Sequence, residues 1–119
     1  MRARALEASV RSRDGVMIVD LSGEINASAE TALNAAFAEA IGQGTGAILL
    51  NFRDVDYINS TGIALIVGLL AQARKSGRRL LTCGLSDHYV EIFKITRLAD
   101  FMSIYQDEGS ALAQASTEY

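Results

Sequence analysis

The sequence has no proline and no tryptophan, one cysteine and one histidine. Each scarcity excludes something. Without proline, nothing marks a rigid hinge between domains. Cys83 has no second cysteine with which to close a disulfide. Neither it nor His88 has a Cys, His or Glu partner at ligand spacing, so no metal site or nucleophile pair is expected. The longest apolar run, Ile63 to Ala71, is about half of the roughly 20 residues that a membrane-spanning helix requires. The first residues, Met1-Arg2-Ala3-Arg4-Ala5, lack the apolar core of a signal peptide, so the cytoplasm is the expected compartment. A net charge of -3 disfavours non-specific attachment to nucleic acid or anionic membrane and leaves protein as the expected partner. What remains is a globular composition, half apolar and about a fifth charged. A chain of 119 residues can bury about two-thirds of its unfolded surface, so a single domain over residues 1–119 is expected.

The organising stretch runs from Ala47 to Ser76. Ala47-Ile48-Leu49-Leu50-Asn51-Phe52 is short, apolar and flanked by Gly46 and Arg53-Asp54, as a buried central strand would be. Asp56 to Gly62 reads as a turn. Ile63 to Ser76 reads as a helix closed by Gly77, with Asn59 or Ser60 as its N-cap. Upstream, Leu6–Arg11 and Val16–Leu21 form a hairpin about the turn Ser12–Gly15. Asn26 or Ser28 can then cap a helix carrying Leu33, Ala36, Phe37, Ala40 and Ile41 at helical spacing, ended by Gly42 and Gly44. Downstream, Arg79–Leu85 reads as a buried strand reached by a parallel crossover, and Ser86 caps a third helix with Asp87 in its first turn. Phe101–Tyr105 reads as a short edge strand. A final helix after Gln106 is expected to fray from about Ser116.

Three motifs, in order, carry a family resemblance. Tyr57-Ile58-Asn59-Ser60-Thr61-Gly62-Ile63 after an acid-rich loop is similar to the signature of bacterial anti-sigma factor antagonists, the free-standing members of the STAS domain family. Leu21-Ser22-Gly23-Glu24-Ile25-Asn26 resembles that family's Gly-Glu-Leu-Asp loop, and Phe93-Lys94-Ile95-Thr96-Arg97-Leu98 its late helix-turn-Leu pattern. The resemblance implies an α/β fold: a mostly parallel mixed sheet with an N-terminal hairpin and helices mainly on one face. It also implies a function, which is to bind an anti-sigma factor with serine kinase activity and so release a sigma factor. The partner would supply ATP and magnesium, and this chain would need no cofactor and catalyse nothing. Ser60 aligns with the phosphorylated hydroxyl, Thr61 is the second choice, and a serine phosphatase would reverse the modification. The alternative is a STAS binding module, not phosphorylated, in a lipid-transport, ligand-sensing or larger signalling complex.

The sequence departs from the family pattern at Asn26 and Asn59, where the family carries aspartates. The amides either remove a charge that a kinase would use or serve as neutral caps in the same positions. On its own, Ser60 reads as no more than an N-cap that stabilises its helix by about 1 kcal/mol. With the resemblance it becomes the switch, because a phosphate there would lie in the field of a helix N-terminus. On a 3.6-residue turn Ile63, Ile66, Val67 and Leu70 face the sheet, whereas Leu65, Gly68 and Leu69 fall opposite with Thr61 and Gln72. Either a second helix covers that side, or Leu65 and Leu69 are the apolar centre of a binding surface rimmed by Arg74, Asp56 and Glu24. The expected partner-binding set is therefore Glu24, Asn26, Asp56, Asn59, Ser60, Thr61, Gly62, Leu65 and Leu69. Asp54 and Asp56 also invite comparison with a phosphoaspartate receiver, but the paired acids after the first strand and the late lysine are both missing.

Overall fold

The tight turn Asp14-Gly15 fixes the first supersecondary unit. Both residues have positive φ, 52° and 79°, which an Asp-Gly pair tolerates and which matches the twist of the strands it joins. In the computed structural model, which describes residues 4–115, the turn links β1 (Glu7–Arg13) to β2 (Val16–Ile25). The chain continues through a 3-10 turn (Ala27–Ala29), α1 (Glu30–Gly42), β3 (Ile48–Ile58), α2 (Ser60–Lys75), β4 (Leu80–Cys83) and α3 (Asp87–Ile95). A second 3-10 turn (Leu98–Asp100), β5 (Ser103–Tyr105) and α4 (Glu108–Ala115) complete it. The strands lie in sequence order, antiparallel within the hairpin and parallel thereafter, with β3 in the centre. This is the mixed α/β sheet that the resemblance implies.

Strand alternation divides the core in two. Met17, Val19, Leu21, Ile48, Leu50 and Phe52 point to the face covered by α1, α2 and α3, where the rings of Phe52 and Phe93 meet edge to face at 5.9 Å. Val16, Ile18, Leu49, Leu81 and Cys83 point to the other face, covered by Ala111 and Leu112 of α4. Because β3 is buried on both faces at its start, its first residues read as a continuous apolar run.

The polar half of β3 is where the structure corrects the sequence reading. The strand does not stop at Phe52. It runs on through Asp54, Asp56 and Tyr57, pairing Asp54 with Ser22, Val55 with Gly23, Tyr57 with Glu24 and Ile58 with Ile25. Its partner β2 is likewise longer than Val16–Leu21, passing two register shifts to reach Ile25. On the other flank β4 ends at Cys83, so this half of β3 lies at an open edge and carries polar residues that resemble a turn. The strand expected over Arg79–Leu85 is shortened because Gly84 turns away with φ 80°, its Cα so near Arg53 that an added Cβ would lie 2.7 Å from that residue's amide nitrogen. The edge strand loses Phe101, which closes the second 3-10 turn, and Met102, and begins at Ser103. Helix α2 begins at Ser60 rather than Ile63, with Asn59 as its N-cap. The fraying expected from Ser116 lies outside the described residues.

A second correction concerns the sides of α2. Leu69 is 1% exposed and packs in the main core with Ile66, Leu70 and Ala73, whereas Val67, expected against the sheet, is 47% exposed. The cause is α1, which lies along that side; Gln72 Nε2 donates to Asn34 Oδ1 across the two helices at 3.2 Å. Leu65 is half-buried against the same core. Leu69 therefore cannot be part of a surface.

Candidate functional site

The C-terminal ends of β2 and β3 and the first turn of α2 meet at one point. The β2–β3 ladder carries Glu24 beside Tyr57 and Ile25 beside Ile58, and this places the two following asparagines, Asn26 and Asn59, at the same end of the sheet. The α2 start is pressed against β2. Asn59 N–H donates to the Ile25 carbonyl at 3.2 Å, and a Cβ on Gly62 would lie 2.1 Å from that same oxygen, so only glycine fits. Gly62 is thus buried packing, not a contact surface.

Both asparagines are caps. Asn26 Oδ1 accepts from Ser28 N–H at 3.0 Å and from the Ser28 hydroxyl at 2.6 Å, fixing the 3-10 turn that leads into α1. Asn59 Oδ1 accepts from Gly62 N–H at 2.8 Å. An aspartate would present the same acceptor in either place, so the amides preserve position while leaving the site less negative. The Asn59 carbonyl takes the Ile63 N–H. The N–H groups of Ser60 and Thr61 are left without an intramolecular acceptor among the described residues, as expected for the first turn of a helix. Ser60 and Thr61 are both exposed, so a hydroxyl, two outward N–H groups and the positive end of a four-turn helix coincide.

Two supports were not legible beforehand. Arg4 Nε donates to Asp56 Oδ2 at 2.8 Å, with further bonds to the Ser22 hydroxyl and the Asp54 carbonyl. This hydrogen bond, and then the charge of Asp56, raise the Arg4 pKa above its ordinary value. The ladder in which the strand ends are held is thereby tied to the chain start, which a lone arginine in the sequence does not signal. Ile58 N–H donates to the Tyr89 hydroxyl at 2.9 Å and so anchors α3 beside the site. Glu24 is half-buried, its N–H donating to the Arg4 carbonyl. Arg74, expected on the same rim, lies about 20 Å further along α2 by helical rise and stands over the Phe101 ring at 5.2 Å. The site thus gathers Glu24, Asn26, Asp56, Asn59, Ser60 and Thr61, leaves Leu65 at the edge of the core and excludes Leu69.

Cys83 lies on the α4 side of the sheet, where burial first and the nearby carboxylates second push its thiol up to about 12, so it is held as an inert core residue. Among the described residues no three His, Cys, Asp or Glu side chains are placed to hold a metal ion, and no helix is long and apolar enough to cross a membrane.

The chain's likeness to known proteins agrees with the fold. The STAS domain pattern matches residues 7–111. BtrV of Bordetella bronchiseptica, provisionally named an anti-sigma factor antagonist, is 30% identical over 103 residues, which cover 87% of this chain and 86% of that protein. The anti-sigma-B factor antagonist of Staphylococcus aureus is 29% identical over 99 residues, 83% of this chain and 92% of its own. The crystal structure of an anti-sigma factor antagonist from Mycobacterium paratuberculosis shares the fold with a TM-score of 0.81 at 18% identity, over 94% of this chain and 95% of that one.

Proposed function

Because the chain belongs to the STAS domain family, we propose that it is an anti-sigma factor antagonist: it binds an anti-sigma factor with serine kinase activity, frees a sigma factor, and is switched off when Ser60 is phosphorylated. The observation that carries this reading is the position of Ser60, exposed on the first turn of α2 beside two N–H groups that have no other acceptor. A phosphate of roughly −1.5 to −2 charge would be received there without unfolding the domain. The switch is then a change of surface. A dianion at the centre of a protein interface is desolvated without a partner, a penalty large enough to lower affinity by orders of magnitude. The chain performs no catalysis in this scheme. The kinase brings ATP and magnesium, and a serine phosphatase restores the hydroxyl.

One observation favours a second reading. Asn26 and Asn59 act as neutral caps, so the site lacks the carboxylates that its family carries there, as would suit a STAS module that binds partners or a ligand without phosphorylation. Incubation with ATP and a cognate anti-sigma kinase separates the two. The switch predicts one phosphate on Ser60 by mass spectrometry, none on Ser60→Ala, and weakened kinase binding by Ser60→Asp. Absence of phosphate on both Ser60 and Thr61 in the native chain and in an Asn26→Asp/Asn59→Asp variant removes the switch and leaves the binding module.

A further inference from the structure

We propose that the furrow between α2 and α3 receives an amphipathic helix of a protein partner, one with an apolar ridge and an acidic side chain near one end. Among the described residues four large apolar side chains are exposed, Tyr57, Val67, Ile95 and Phe101, and three of them line two adjoining recesses. One recess, about 350 Å³, is bounded by Tyr57, Ser60, Ile63 and Ile92; the other, about 250 Å³, by Val67, Leu70, Leu98 and Phe101. Thr96 borders both, so they form one furrow that begins at the Ser60 hydroxyl and ends at Arg74. Between Ile63 and Arg74 α2 advances about 16 Å, three helical turns. Apolar side chains at i, i+4, i+7 and i+11 of an opposing helix cover that length, which is how helices enter grooves of this kind. Exposed apolar surface concentrated in one concavity marks an interaction site, whereas scattered exposure does not.

Charge sets the chemistry of the occupant. No acidic side chain lines either recess, and the far end carries Arg74 and Arg97. Arg97 is paired with Asp100 at 2.5 Å. Arg74 stands over the Phe101 ring and makes no ion pair among the described residues. A carboxylate arriving here meets a guanidinium held over an apolar floor, where the pair is less screened than in open water, and a cationic side chain is repelled.

The test uses a phage-displayed library of random peptides of about four helical turns, selected on the whole chain and counter-selected on a Val67→Lys variant shown by circular dichroism to be folded. The expected sequences have apolar residues at helical spacing and an Asp or Glu near one end. Their synthetic forms should bind the native chain and lose about tenfold or more on Val67→Lys, Phe101→Ser and Arg74→Glu, while Arg74→Lys keeps most of the affinity. Failure to enrich, recovery of basic peptides, or equal binding to Val67→Lys overturns the proposal. So does a chain that sediments as a dimer lost in Val67→Lys, because the occupant would then be a second copy. No kinase or phosphate enters the readout, so it stands or falls separately from the Ser60 switch.

Discussion

Helix α2 has two sides that obey different rules. On one, Ile66, Leu69, Leu70 and Ala73 are fixed by what they touch: the sheet beneath and α1 alongside. On the other, Ser60, Thr61 and Val67 face solvent with no core packing that requires a hydroxyl or a branched apolar residue, and exposed Arg74 stands over the likewise exposed Phe101 ring. Burial explains identity on the first side, so its residues say little about function. Where burial is silent, a particular residue type needs another reason, and the proposed phosphoacceptor and furrow both lie on that side.

The sharpest way to break this contrast is to put a charge on each side. Leu69→Asp buries a carboxylate without a partner and also removes core volume. Leu→Ala alone costs about 2–5 kcal/mol in such positions, a large part of a domain's stability, so the Asp variant should be unfolded or nearly so by circular dichroism. Val67→Lys, on the exposed side, should change the urea midpoint by no more than about 0.5 kcal/mol equivalent. If Leu69→Asp folds normally, the side assigned to the core is wrong.

Gly62 sits at the boundary between the two sides, and its substitution should have the next largest effect. In Gly62→Ala the new methyl meets the Ile25 carbonyl at 2.1 Å, and the obstacle is backbone, so the first turn of α2 has to lift from β2. Overpacking of this kind costs about 1–3 kcal/mol, which for a domain of this size is a fall in Tm of roughly 5–15 °C. Because Asn59 N–H donates to the same carbonyl, the lift should also displace Ser60 and weaken partner binding beyond what the stability loss explains. An unchanged Tm would show that the turn has slack and that Ser60 is not rigidly placed.

Much of this was legible in the sequence, and the failures share a cause. The hairpin was marked by Asp14-Gly15, the central strand by Ile48-Leu49-Leu50, and the caps by Asn59 and Ser86, because each is set by local backbone chemistry. The site's backbone was marked by the Asn-Ser-Thr-Gly run. The polar half of β3 was lost because Arg53 to Tyr57 carries no apolar period of its own, and its partner, the end of β2, is interrupted by Gly23 and two register shifts. Leu69 was misplaced because period alone gives a helix two apolar sides and does not say that α1 covers one. Arg4 and Tyr89 act on the site through contacts 52 and 31 residues away in the chain, which no window of sequence contains.

The smallest expected effect tests what the asparagines do. If Asn59 Oδ1 is the cap of α2, Asn59→Ala leaves the Gly62 N–H without an acceptor and should lower stability by about 1 kcal/mol in urea denaturation. Asn59→Asp keeps the acceptor and adds a charge at the positive end of the helix, worth about 0.3–1 kcal/mol, so it should equal or slightly exceed the native chain at neutral pH. The sign with pH follows: the helix end and the Gly62 N–H hold the new carboxylate below its unfolded pKa of about 3.9. The gain is therefore present above that value and lost as pH falls through the lower folded one. Restoring both family aspartates, at positions 26 and 59, should then raise the rate of Ser60 phosphorylation with no loss of fold, since each occupies an existing cap. If Asn59→Asp destabilises at neutral pH as much as Asn59→Ala, acceptance by Oδ1 from the Gly62 N–H is not what holds the first turn of α2.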